Sequence, residues 1–135
     1  MIELKDVRDF LKTSGIAEHY YIGKLNNKED KSVGVYQYKR YNEYERAIGS
    51  VDADTIKQKR VSVLVHWNKN AAETETAANA LFKFLEHLND IHETPIIGGH
   101  KVCYFGFLQN EPLDVGTDEF KTYERVIEFT IYYQK

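Results

Sequence analysis

The sequence predicts an α+β fold in which two helices pack on one face of a mostly antiparallel sheet of about four to five strands. Two segments place apolar residues at helical spacing, and several others alternate apolar and polar residues with the period of a strand. In chain order these elements follow the pattern α-β-β-β-α-β-β. Placing both helices on one face is the economical way to bury two apolar helical stripes.

The first third of the chain predicts one helix and one hairpin. The helix is indicated by four apolar residues that share a face, namely Leu4, Val7, Phe10 and Leu11. Gly15 is a plausible stop for this helix. Residues 20–25 and 32–39 are then predicted to form two antiparallel strands joined by a polar turn at 26–31. The charged segment 40–59 shows no regular period and is predicted to be a long mobile loop.

The clearest predicted strand and helix follow each other in the middle of the chain. Residues 60–67 alternate, so that Val61, Val63 and Val65 share an apolar face. Asn70 is positioned to cap the second helix, with Glu73 three residues later. The buried stripe of this helix is predicted to contain Ala77, Leu81, Leu85 and Leu88.

The last third predicts two more strands separated by a loop. A turn at Gly98-Gly99 precedes a strand at 101–109, and a long alternating strand covers 122–134. Residues 110–121 are predicted to be a polar loop.

Length and composition indicate one soluble intracellular domain spanning residues 1–135. The hydrophobic fraction of 42% and the charged fraction of 29% are ordinary for a globular protein. Cys103 is the single cysteine, so no internal disulfide is expected. No basic leader with an apolar run opens the sequence, and no 18 consecutive apolar residues occur, so neither a signal peptide nor a membrane span is expected.

No residue pattern supports catalysis, a cofactor or a metal site. His87 and His92 are five residues apart, which does not place two imidazoles on one helical face. Carboxylate pairs such as Glu124 and Glu128 are expected by chance at this charge content and are best explained as a solvated face. The sequence therefore predicts that the protein is not an enzyme.

RNA binding is the alternative that the sequence leaves open. The segment Phe105-Gly106-Phe107-Leu108 matches the centre of a strand motif whose aromatic residues stack on bases. The flanking positions depart from that motif, and the net charge of −3 disfavours contacts with a phosphate backbone. A binding module for single-stranded RNA stays the second hypothesis, and sequence-specific nucleic-acid recognition is not expected.

Two segments of the sequence carry a resemblance to a known protein family. The first is residues 63–70, which enter the Ala- and Glu-rich helix. The second is Asp114-Val115-Gly116-Thr117-Asp118-Glu119, followed by 123–127 and the aromatic final strand. Both resemble segments of the minor capsid and tail terminator proteins that join head and tail in long-tailed phages. The sequence departs from the family at Phe120-Lys121, where glycine is common.

The resemblance implies a structural protein of a phage or prophage virion, with no cofactor. Such subunits form a ring, expected to be a hexamer, that ends the tail tube and docks to a head completion or connector protein. The implied partners are copies of the chain itself, the tail tube protein and that head protein. The resemblance also implies assembly in the host cytoplasm before incorporation into the virion.

A ring needs two different complementary patches on each subunit, because its contacts are heterologous. The segment 40–59 offers charges of both signs and aromatic rings, and we expect it to become ordered when subunits meet. The candidate interface residues are Arg40, Tyr41, Tyr44, Arg46, Asp52 and Asp54. The candidate docking residues along the tail axis are Asn27, Lys28, Asp114 and Asp118.

Overall fold

The computed structural model describes residues 1–23, 29–37, 55–93 and 95–135, and these residues form two helices and seven strands. The helices are α1 (Leu4–Lys12) and α2 (Ala71–Asp90). The strands are β1 (His19–Ile22), β2 (Ser32–Gln37), β3 (Ile56–His66), β4 (Ile96–Ile97), β5 (His100–Phe107), β6 (Leu113–Thr117) and β7 (Tyr123–Gln134). No helix among these residues is long and apolar enough to cross a membrane.

The strands form a mixed sheet in the order β1-β2-β3-β7-β5-β4, with β6 also paired to β7. β1 and β2 are parallel, and every other pairing is antiparallel. β7 has 12 residues, so it pairs with all of β3 on one side and with two strands on the other. Its C-terminal half pairs with β5 and its N-terminal half with β6.

The predicted sheet of four to five strands was wrong, and so was the predicted element order. The structure has seven strands in the order α-β-β-β-α-β-β-β-β. β4 is too short, at two residues, to show a period. All five residues of β6 are exposed, so this strand has no buried face to produce alternation, and it lies inside the predicted loop 110–121.

The predicted hairpin was also wrong, because β1 and β2 run in the same direction. His19 pairs with Ser32, and Ile22 pairs with Val35. The predicted loop 40–59 ends early, since β3 already begins at Ile56. Residues 38–54, which make up most of that loop, lie outside the described residues.

One hydrophobic core lies between the helices and the sheet, and it includes the apolar faces that the sequence predicted. Val61, Val63 and Val65 are at most 1% exposed. From the helix side, Leu11 and Leu85 are fully buried in the same core. Aromatic rings link the layers, for the ring of Phe10 stacks on that of Phe105 at 5.9 Å between centroids.

The start of α2 confirms the predicted cap. The Asn70 side-chain oxygen accepts a hydrogen bond from the Glu73 backbone N–H at 3.1 Å. Asn68 extends this cap, because its Nδ2 donates to Glu73 Oε2 at 2.6 Å and its Oδ1 accepts from Asn70 N at 2.9 Å. These bonds satisfy the first helical donors and fix the direction in which α2 leaves β3.

Candidate assembly surfaces

The turn between β6 and β7 is held by the side chain of Asp118. Asp118 Oδ1 accepts hydrogen bonds from the backbone N–H groups of Phe120 and Thr122, both at 2.9 Å. The Asp118 backbone N–H donates to Thr122 O at 3.0 Å, and Lys121 N–H donates to Asp118 O at 3.1 Å. This dense set of bonds orders a four-residue turn whose apolar member, Phe120, is 53% exposed.

The side chain of His66 lies next to Asp118 and Glu124, on either side of this turn. Its Nδ1 lies 3.0 Å from Glu124 Oε2 and 3.7 Å from Asp118 Oδ2, and its side chain is 1% exposed. Because carboxylates only accept hydrogen bonds when ionised, Nδ1 is the donor in the contact with Glu124. The side chains of Asp118 and Glu124 are 14% and 17% exposed, so the three groups form a largely buried polar cluster.

The backbone of Lys121 is strained, because its φ of 64° lies in the left-handed region. For an L-residue with a side chain this conformation costs about 1–2 kcal/mol. We expect Lys121→Gly to raise the free energy of unfolding by about 0.5–1 kcal/mol, the gain being reduced by the greater freedom of glycine in the unfolded chain. Urea denaturation followed by Trp67 fluorescence measures the change. Lys121→Ala is the control, and an equal gain in that variant would show that the side chain, not the backbone, is responsible.

β6 presents an exposed edge with apolar side chains. Leu113 is 45% exposed and Val115 is 51% exposed. Asp114 lies between them, where its Oδ1 accepts from Gly116 N at 2.8 Å and its Oδ2 lies 3.8 Å from Arg125 Nη2. Within the described residues, β6 pairs only with β7, so its second edge has no strand beside it.

An open groove lies along the flank of α2 that is turned away from β6. It encloses about 440 Å³ and is lined by Ile16, Lys31, Trp67, Ala72, Glu73, Thr76, Ala77 and Ala80. Small side chains on one flank of the helix leave this space open, and Trp67, which is 8% exposed, contributes an aromatic ring to the lining. Lys31 and Glu73 add one charge of each sign.

The face of the sheet away from the helices carries a pair of stacked tyrosines. The rings of Tyr104 and Tyr132 are 4.6 Å apart and 10° from parallel. Gly106 makes room for them, because a Cβ at this position would lie 2.8 Å from Tyr132 Cε2. Partial burial, and then the neighbouring Tyr132, raise the pKa of the Tyr104 phenol above its usual value.

The aromatic residues of the RNA alternative are not free to stack on bases. Phe105 is 2% exposed and packs against Phe10 and Phe129 in the core. Phe107 also packs against the helix layer, with its ring centroid 4.6 Å from that of Phe82. The two aromatic residues of the motif that suggested RNA binding therefore pack on the core side of the sheet.

The described residues contain no group of three or more His, Cys, Asp or Glu side chains arranged to hold a metal ion. His87 and His92 are exposed. Cys103 is a half-buried free thiol.

Most of the interface residues predicted from the sequence lie outside the described residues. This applies to Arg40, Tyr41, Tyr44, Arg46, Asp52 and Asp54, and also to Asn27 and Lys28. Asp114 is exposed on β6, whereas Asp118 turns its side chain into the subunit and holds the turn. The sequence analysis did not name Phe120 as a candidate docking residue, although a large apolar side chain in a polar loop is a usable signal.

Comparison with protein families gives one match that spans almost the whole chain. The model of a bacteriophage tail terminator protein family matches residues 3–135. No curated protein matches the sequence. The match includes both segments on which the resemblance was based, and also the first third of the chain. The chain therefore belongs to the bacteriophage tail terminator protein family, which places it among the structural proteins of the virion at the end of the tail.

Proposed function

We propose that the protein forms a closed ring, with six subunits, that ends the tail tube and docks to a head completion or connector protein. Family membership supports the position at the tail end. The observation that supports ring formation is the concentration of exposed apolar side chains on the β6–β7 hairpin. Leu113, Val115 and Phe120 are each 45–53% exposed within one short segment.

Exposed apolar side chains on an edge strand mark a contact surface. Soluble proteins protect such edges with charges, proline or a covering element, because an open edge pairs with other chains. β6 instead exposes Leu113 and Val115 beside a single charged residue, Asp114. Grouped exposed apolar residues of this kind are typical of protein–protein contacts.

The two partners require different surfaces on each subunit. Contacts around a ring are heterologous, whereas tube and head proteins bind at the two ends of the ring axis. Asp114, on the exposed hairpin, is part of the proposed docking surface. The segment around Arg40 to Asp54 stays a prediction for the contact between subunits. Assembly in the host cytoplasm is proposed with the ring.

Native mass spectrometry over a wide concentration range tests the ring. We expect a closed oligomer of six subunits whose size does not increase further with concentration. Purified tail tubes should then bind the oligomer at their ends, as seen by electron microscopy. A chain that is monomeric at every concentration and leaves tube ends bare would contradict the proposal.

A further inference from the structure

The β6–β7 turn ends in three exposed residues, one acidic, one aromatic and one basic. Glu119, Phe120 and Lys121, here named the tip, are all exposed, and Phe120 contributes the apolar side chain. Neither Glu119 nor Lys121 makes an ion pair with another residue in the described ranges. Asp118 already fixes the backbone of this turn before any partner binds. Binding through the tip therefore costs little conformational entropy of the backbone.

The groove beside α2, here named the Trp67 groove, has the complementary chemistry. Ala72, Thr76 and Ala80 form its helical wall, and Trp67 adds an aromatic surface. Lys31 is 46% exposed at its side chain and reaches Glu18 only at 4.0 Å. Glu73 supplies the negative charge. The groove therefore combines an apolar lining with one cation, Lys31, and one anion, Glu73. The tip carries the matching charges of opposite sign, Glu119 and Lys121.

The tip and the groove lie at the same end of the sheet but on opposite flanks. Trp67 N–H donates to Tyr123 O, and Tyr123 N–H donates to Asn68 O, so both surfaces lie where β3 ends and β7 begins. Arg125, next to β6, reaches Glu75 on one flank of α2. Ala77 and Ala80 line the groove on the other flank. This placement on different flanks favours insertion of the tip into the groove of another subunit over insertion into its own groove.

We propose that the tip of each subunit inserts into the Trp67 groove of the next subunit, so that the occupant of the groove is a second copy of this chain. Phe120 enters the apolar space, Glu119 approaches the neighbour's Lys31, and Lys121 approaches the neighbour's Glu73. This inference rests on the proposed ring and names one of its contacts. An anchor side chain that fills a well-packed, desolvated pocket commonly supplies most of the binding energy of an interface.

The positions of the two surfaces favour closure. A heterologous contact, repeated from subunit to subunit, produces a ring when the successive rotations return to the first subunit with no shift along the axis. Otherwise the contact produces a filament. Since the tip and groove lie at the same end of the strands, a rotation about an axis along the strands brings them together at one level.

Cross-linking between engineered cysteines tests the contact directly. In a Cys103→Ser background, Glu119→Cys and Thr76→Cys are combined in one chain, so that Phe120 is kept, and treated with a short bis-maleimide. We expect a ladder of linked subunits on a denaturing gel, ending at the oligomer found by native mass spectrometry. The matched control combines Glu119→Cys with Glu86→Cys, an exposed position away from the groove lining, and should give no ladder.

A charge exchange gives a second, independent test. Lys31→Glu should raise the dissociation constant between subunits about tenfold, because it places two negative charges together. Adding Glu119→Lys should restore most of that loss. An oligomer that forms normally but gives no cross-link and no rescue would overturn the tip-in-groove contact and leave the ring intact. A strictly monomeric wild-type chain would overturn the ring and this contact together.

Discussion

Replacing Phe129 with alanine is expected to lower the free energy of unfolding by about 3–5 kcal/mol. Phe129 is 1% exposed in the middle of β7, where it pairs with Val61 on β3 and with Phe107 on β5. Its ring meets that of Phe105 edge-on, with centroids 5.9 Å apart. The substitution removes this buried area and leaves a cavity that the two neighbouring strands and the helices can only partly fill.

Phe120→Ala is the matched control, because it removes the same side chain from an exposed position. We expect the free energy of unfolding of the monomer to change by less than about 0.5 kcal/mol. Urea denaturation followed by Trp67 fluorescence measures both variants at a low protein concentration at which native mass spectrometry finds only monomers. Equal losses in both variants would contradict the assignment of Phe129 to the core and Phe120 to the surface.

The parts of the fold that the sequence predicted correctly are those in which one face is buried. β3 and β7 show the period of two because alternate residues are buried in the core: Val61 and Val63 on β3, and Ile127 and Phe129 on β7, are at most 1% exposed. α2 is recognisable from its apolar stripe and from the cap at Asn70. In each case local pattern and tertiary environment agree, and such agreement is what makes a segment predictable.

The elements that were missed lack a local signal. β6 is held by hydrogen bonds to β7 and buries none of its residues, so its sequence resembles a polar loop. The parallel pairing of β1 with β2 is determined by a non-local arrangement, whereas their sequences are equally compatible with a hairpin. A parallel pair usually requires a longer connection than these two strands have, which is why the antiparallel arrangement was expected.

The candidate assembly surfaces depend on side-chain positions that the sequence alone does not reveal. The resemblance pointed to the hairpin through Asp114 and Asp118, yet the structure shows that Asp118 holds the turn while Phe120 is presented to solvent. The Trp67 groove combines residues from the segment after α1, from β3 and from α2, and no sequence spacing reveals such a combination. The small residues of α2 form a groove only because the other lining residues fold against this helix.

Replacing His66 with alanine is expected to lower the free energy of unfolding by about 3 kcal/mol. The imidazole is 1% exposed and donates from Nδ1 to Glu124, with Asp118 also within 3.7 Å. Without it, the largely buried Glu124 carboxylate loses its hydrogen bond, and the Asp118 carboxylate loses a polar neighbour 3.7 Å away. Because Asp118 holds the β6–β7 turn, the loss should also disorder the tip and weaken the contact between subunits.

His66→Asn distinguishes the hydrogen bond from simple loss of volume. The asparagine amide can place an N–H donor near the position of Nδ1, so this variant should recover about half of the stability lost in His66→Ala. The exposed His87→Ala serves as the surface control and should change stability by less than about 0.5 kcal/mol. Urea denaturation gives the three free energies, and hydrogen exchange at the amides of Phe120 and Thr122 reports on the turn. Unchanged protection of these two amides in His66→Ala would show that Asp118 holds the turn without the histidine, and would confine the role of His66 to packing.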